Sequence, residues 1–274
     1  MAARFLEASV RYLGPCKGKP VFYGKSGHLD NMPLEERRVR IEDMRQGRGI
    51  SLEREGFELV AHESATQDFF DAGELQSTYW PECEELLREL TGAGKVVFVT
   101  HVIRRSERSP RFRQDQTTVP GRFVHCDFSV NPAGSSFWVR KVLPEEEARE
   151  RMRGRFAIYN VWRVLSDPPQ DAPLAICDAG SVDPCDAVAT DCIAQRSQDA
   201  NLDSELTLYR YSPHHRWCYF PDMTRKEALV FKGFDSDPGR IGGVPHVAFT
   251  DPGCPPDAGA RESIDARFVA FFDD

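Results

Sequence analysis

The 274 residues carry 43 Asp+Glu against 35 Lys+Arg, a net charge of -8, which argues against a general nucleic-acid binder. An apolar fraction of 41%, with 18 Phe and 4 Trp, can fill a sizeable core, yet no window reaches the run of about 18 apolar residues that a membrane span requires. The eight cysteines show neither Cys-x-x-Cys nor zinc-finger pairing, so free thiols in a reducing, cytoplasmic setting are expected.

Met1 to Tyr12 has no long apolar stretch and includes Arg4, Glu7 and Arg11, so no signal peptide is expected. Phe5 to Tyr12 reads as a strand ended by Gly14-Pro15, and Phe57 to Val60 as another. Pro81 to Thr91 predicts a helix with Leu86, Leu87 and Leu90 on one face and Gly92 as its stop. Lys95 to Val102 is a short Val- and Phe-rich run that predicts a buried strand. Arg104 to Gly121 is polar and arginine-rich and reads as a loop able to close over a site. Phe123 to Ser129 reads as a strand, and Pro144 to Gly154 as an amphipathic surface helix.

Seven further runs follow: Phe156 to Leu165, Leu174 to Asp178, Glu205 to Tyr211, Trp217 to Phe220, Ala228 to Phe234, Val244 to Phe249 and Ile264 to Phe272. They are short, aromatic and β-branched, with Pro, Gly, Asp and Ser turns between them. That pattern favours a mainly β fold with flanking helices, a double-sheet jelly roll, over parallel βαβ units. We read one domain over 1–274, with a mixed helical and strand elaboration in 1–95 and the jelly-roll core in 96–274.

His125-Cys126-Asp127 places two potential ligands at i and i+2, which an extended strand turns to the same face. His246 begins a later strand-like run and is the third candidate. Two imidazoles and one carboxylate suit one face of an iron(II) octahedron and leave positions open for small molecules. Arg261 follows His246 beyond a Pro- and Gly-rich turn, with Ser263 two residues on. A guanidinium can grip a carboxylate through two parallel hydrogen bonds, and a hydroxyl adds a third donor. Arg267 shares strand parity with both and is the rival anchor. Asn160, Trp162 and Arg163 on one strand, and Lys232 on another, are the candidate substrate-binding residues; Asn160 and Trp162 share a face. His214 and His215 sit at a turn and are expected in solvent. No catalytic side chain beyond the metal ligands is required.

The order His125-Cys126-Asp127, His246, Arg261-Glu262-Ser263 resembles the iron(II)- and 2-oxoglutarate-dependent dioxygenases. Tyr159-Asn160-Val161-Trp162-Arg163, Tyr211 to Trp217, Phe220-Pro221-Asp222-Met223 and Pro245 to Phe249 resemble one branch more closely. That branch includes the cephem 7α-methoxylase component and fungal hydroxylase/desaturase-like proteins of secondary metabolism. The resemblance runs from about Glu55 to Val269; Val164 stands where a proline is expected after Arg163, and Cys218 where an aromatic is expected. It implies a double-stranded β-helix, iron(II), 2-oxoglutarate and dioxygen, with succinate and carbon dioxide released. The expected reaction is hydroxylation, desaturation or cyclisation of a small-molecule metabolite, with neither nucleic acid nor membrane as partner. A cupin-like metal enzyme without 2-oxoglutarate, or a non-catalytic accessory component of a biosynthetic complex, are the alternatives.

Overall fold

In the computed structural model, which describes residues 4–23, 30–46, 49–112, 118–193 and 204–273, the short apolar runs become strands of two sheets. In chain order the strands are β1 (Phe5–Leu13), β2 (Val21–Tyr23), β3 (Leu34–Asp43), β4 (Phe57–Ala61), β5 (Lys95–Arg105), β6 (His125–Cys126) and β7 (Phe156–Val164). They continue with β8 (Leu174–Cys177), β9 (Ala187–Ile193), β10 (Ser204–Tyr209), β11 (Trp217–Tyr219), β12 (Glu227–Asp235), β13 (His246–Ala248) and β14 (Glu262–Phe271). The helices are α1 (Ala72–Glu74), α2 (Trp80–Thr91), α3 (Pro132–Val142) and α4 (Glu145–Arg151), with a π-helical turn, Leu75–Tyr79, joining the first two.

Among the described residues the larger sheet runs β1-β3-β11-β8-β13-β6-β10-β9-β2 and the smaller β4-β12-β7-β14-β5. Neighbours are antiparallel except for β3 with β11 and β2 with β9. The two curled sheets and their flanking helices form a double-stranded β-helix. Segments before residue 95 add β1, β2 and β3 to one sheet and β4 to the other.

Strand β7 explains the layering. It lies between β12 and β14, and all nine of its residues are buried. Tyr159 and Val161 face outward onto α2, where Leu86, Leu87 and Cys83 pack with Ala266 and Phe268 of β14. Trp162 faces the opposite way and packs with Phe231, Leu174 and Ile176 between the sheets. A strand covered on both faces loses the alternation of apolar and polar residues, which is why Phe156 to Val164 reads as nearly continuous hydrophobic sequence. Helix α2 ends on Gly92 at φ 71°, where the left-handed backbone favours a residue without a side chain.

The structure differs from the sequence expectation at Arg104 and Arg105. Strand β5 continues through both instead of breaking into a loop before them. Pairing with β14 puts Arg104 opposite Ser263 and Arg105 opposite Glu262, so the two arginines leave by opposite faces. Arg105 meets Glu262 at 3.4 Å and lies over the Phe70 ring. Each charge has a place in the sheet, and polarity alone does not end the strand. Of the predicted loop, residues 113–117 lie outside the described residues.

His215 also departs from its expected exposure. It is buried, and its ring joins Asp186 Oδ2 at 3.2 Å and the Tyr12 hydroxyl at 3.0 Å. Trp217 Nε1 donates to the same hydroxyl at 2.8 Å. Tyr12 therefore accepts from Trp217 and donates to His215 Nδ1, which leaves His215 Nε2–H to donate to Asp186. This chain of bonds ties β1 to β11 on the far side of the larger sheet. No helix among the described residues is long and apolar enough to cross a membrane, and none of the eight cysteines is in a disulfide.

Candidate metal centre and active site

Adjacent strands of the larger sheet deliver the two histidines. His125 of β6 and His246 of β13 are register partners, so their side chains leave the same face from neighbouring positions. Their ring centroids are 4.4 Å apart. Asp127 follows β6 at the i+2 position of His125, and the ligand atoms of the three residues all lie within 4.8 Å of one another. Cys126, between the two ligands, points away into the core with Tyr209 and Val247.

The ring orientations are fixed from behind. His125 Nδ1 lies 2.8 Å from the Phe123 carbonyl and His246 Nδ1 lies 3.1 Å from the Val244 carbonyl. A carbonyl can only accept, so both Nδ1 atoms carry the proton and both Nε2 atoms present a lone pair. His125 Nε2 is 3.8 Å from Asp127 Oδ1, and His246 Nε2 is 3.6 Å from Asp127 Oδ2. Those separations are too long for hydrogen bonds. They leave the three residues close enough to take one ion between them.

Burial pushes the His125 imidazole down to about 3, with His246 adding to the shift and Asp127 opposing it. Burial lowers His246 as well, again against the pull of Asp127. Burial would raise Asp127, but Arg267, then His246 and His125, overcome it and hold the carboxyl below its usual range. At neutral pH the site therefore offers two neutral imidazoles and one carboxylate, the protonation states a divalent ion needs. The residues present fit iron(II).

The inner face of the smaller sheet closes the site. Alternation along β14 turns Arg261, Ser263, Asp265 and Arg267 the same way, while Ile264, Ala266 and Phe268 face α2. Arg267 Nη2 donates to Asp127 Oδ1 at 2.7 Å and to Asp265 Oδ2 at 2.9 Å. Asn160 Nδ2 donates to Asp127 Oδ2 at 2.7 Å and to Asp265 Oδ1 at 3.0 Å. Burial raises Asp265 above the usual carboxylate range, with Arg267 opposing the shift.

Arg261 has different surroundings. It is 1% exposed, donates from Nη1 to the Ala172 carbonyl at 2.6 Å and lies over the Trp162 ring at 5.4 Å. Its Nε and the hydroxyl of Ser263 are buried without a hydrogen-bond partner. No carboxylate lies within 4 Å of its guanidinium among the described residues. Burial, reinforced by Arg104 and Arg122, pushes Arg261 down to about 9. A buried cation without an anion is costly, and this one borders the same cavity as His125 and His246.

That cavity is also lined by Arg104, Trp162, Leu174, Phe231 and Asp265. The structure thus brings together His125, Asp127, His246, Arg261, Arg267, Asn160 and Trp162, with Ser263 beside them on β14. It does not bring Arg163 or Lys232 to the cavity. Arg163 has the opposite parity from Asn160 and Trp162. It is fully buried on the helix side, donating to the carbonyls of His62 and Arg225 beneath the Tyr79 ring. Lys232 is fully buried against Asp235, at 3.2 Å, beside the irregularity at Gly233. Asp265 and Arg104 are the site residues that sequence reasoning passed over. The parity of Asp265 with Arg261 was the available signal for it, and the pairing of β5 with β14 supplies the one for Arg104.

Residues 10–271 match a family model described as Oxidoreductase/YMDC permease-like domain. The chain is 33% identical to the hydroxylase/desaturase CTB9 of Cercospora beticola, over 94% of this chain and 83% of that protein. It is 32% identical to the alpha-ketoglutarate-dependent dioxygenase phiK of a fungal species, over 87% of this chain and 85% of that one. Among solved structures, the iron and alpha-ketoglutarate-dependent endoperoxidase NvfI is similar with a TM-score of 0.85 at 26% identity, covering 98% of this chain and 99% of that one.

Proposed function

The chain belongs to the iron(II)- and 2-oxoglutarate-dependent dioxygenases, and from that premise we propose that it oxidises carbon in a small-molecule metabolite of secondary metabolism. The observation that carries this reading is the meeting of three elements at one buried cavity: two Nε2 lone pairs, a carboxylate, and a guanidinium without an anion. Iron(II), 2-oxoglutarate and dioxygen supply the oxidising power when bound, with 2-oxoglutarate leaving as succinate and carbon dioxide.

The protein's own groups hold and exclude. His125, Asp127 and His246 hold the ion. Arg261 takes the distal carboxylate of 2-oxoglutarate, and Ser263 Oγ donates beside it. Support for Arg261 over Arg267 comes from charge: Arg267 is already paired with two carboxylates, whereas Arg261 has none. Trp162, Leu174 and Phe231 give the cavity an apolar wall that keeps water from the reacting carbon and receives a carbon skeleton. Named relatives are hydroxylases, desaturases and an endoperoxidase, and hydroxylation, desaturation or ring formation all fit such a wall. Eight cysteines without a disulfide among them support a reducing, cytoplasmic setting.

The test is succinate release from 2-oxoglutarate by purified protein with added iron(II) in air. We expect iron-dependent release that is lost in Asp127→Ala while the protein stays folded. Absence of iron-dependent succinate from the unaltered protein, with or without candidate metabolites, counts against the reading.

A further inference from the structure

Three charged residues line the cavity beside the triad: Arg104, Arg261 and Asp265. Arg104 comes from β5 and stands directly opposite Ser263, so it shares the inner face with Arg261 rather than pointing to solvent across the sheet. Its Nη1 donates to the carbonyl of Val119 at 2.9 Å. Among the described residues no carboxylate lies within 4 Å of its guanidinium, and Arg104 and Arg261 repel each other across the site. Two cations held in one cavity wall destabilise the empty protein, and arrangements of this kind mark places where anions bind.

Their hydrogen-bond partners separate the guanidiniums of this wall. Arg267 is fixed between Asp127 and Asp265, and Arg261 is the guanidinium assigned to the co-substrate. The remaining one is Arg104, and beside it the wall is apolar, made by Trp162, Leu174, Phe231 and Ala248. An apolar skeleton ending in one ionised acid group matches that combination of surfaces.

We propose that Arg104 binds a carboxylate of the prime substrate and so selects acids over their neutral counterparts. This deepens the oxygenase reading above and rests on it. An arginine here can grip the carboxylate through two parallel hydrogen bonds, which fixes the direction of the skeleton relative to the triad as well as its charge.

The experiment uses benzoate and benzamide, which share a shape and differ in charge. Each is titrated into protein loaded with cobalt(II) and 2-oxoglutarate under argon, with binding read from the cobalt spectrum and by calorimetry. The unaltered protein is expected to bind benzoate at least about tenfold more tightly than benzamide, the size of one charge-assisted hydrogen-bonded pair. Arg104→Gln should erase that preference while leaving the affinity for 2-oxoglutarate within about twofold. Arg104→Lys, which keeps the charge and loses the fork, should retain part of the preference, and it carries the test if Arg104→Gln does not fold.

Equal binding of the two probes by the unaltered protein would overturn the proposal. So would a preference for benzoate that survives Arg104→Gln. If Arg104→Gln weakens 2-oxoglutarate as strongly as Arg261→Gln does, Arg104 belongs to the co-substrate and the proposal fails. Failure of the underlying oxygenase reading is distinguishable, because it shows as absent iron-dependent succinate release in the unaltered protein, and it takes this proposal with it.

Discussion

Arg267 holds Asp127: its Nη2 lies 2.7 Å from Oδ1, so a guanidinium that sequence order makes a candidate co-substrate anchor is hydrogen-bonded to the metal ligand. Asn160 holds the other oxygen of the same carboxylate at 2.7 Å. Both of these residues also contact Asp265, which completes a buried ring of four polar groups. The ring fixes the rotation of Asp127 before any ion arrives, as partners behind metal ligands commonly do.

Loss of that support should weaken the metal. We expect Asn160→Ala and Arg267→Met each to reduce iron(II) affinity by about 10- to 100-fold, read by titration with cobalt(II) or iron(II) under argon. The affinity for 2-oxoglutarate, measured at saturating metal, should change far less. If Arg267→Met binds metal normally and loses 2-oxoglutarate, the roles given to Arg267 and Arg261 must be exchanged.

Arg261 gives the complementary result. Arg261→Gln should raise the KM for 2-oxoglutarate by about 10- to 100-fold, the loss of a charge-assisted pair, with little effect on metal affinity. Arg261→Lys should recover only part of the loss because an ammonium lacks the two-pronged geometry. A Lys variant with unaltered KM would show that charge alone is recognised.

The buried histidines contribute to the pH dependence of the metal-free protein with a definite sign. His125 is pushed down to about 3 by burial, and His246, His215 and His62 are lowered for the same first reason. An unfolded histidine titrates at about 6.5, so between that pH and the folded value the unfolded chain binds more protons. Stability contributed by these groups is complete above about pH 6.5 and falls as the pH drops toward the folded values. Melting temperature measured in chelator should therefore decline from pH 7 to pH 4.5, and more shallowly in His125→Asn. A flat profile across that range would contradict the burial of uncharged imidazoles.

How far the sequence discloses the site depends on strand parity. His125 and Asp127 are legible because i and i+2 share a face, and Arg261 and Ser263 follow the same rule. The same alternation separates Arg163 from Asn160 and Trp162, and it carries Asp265 onto the inner face with Arg261. Long-range pairing is not local information. Only the register of β5 with β14 reveals that Arg104 stands across from Ser263. Lys232 is misleading because an irregularity follows it at Gly233 and its charge finds Asp235 within the same strand. His215 reads as solvent-exposed because the partners that bury it, Tyr12 and Asp186, are 203 and 29 residues away.

Gly121 offers a local test of the metal centre. A Cβ built there would lie 2.9 Å from His125 Cε1, closer than side chains tolerate, so either the ring or the backbone must shift. The Gly121 carbonyl accepts from Ala248 N at 2.8 Å, which anchors the residue to β13 beside His246. The ring cannot easily yield either, because His125 Nδ1 is bonded to Phe123 O. Gly121→Ala should thus tilt the imidazole and lower iron(II) affinity, with a cost in stability of about 1–3 kcal/mol from overpacking. Gly242→Ala is the control, since nothing lies within 4 Å of a Cβ at that position. The measurements are metal titration and thermal melting on both variants. Iron(II) affinity in Gly121→Ala equal to that of the Gly242→Ala control would show that His125 tolerates displacement and that its fixed ring orientation is not what the metal requires.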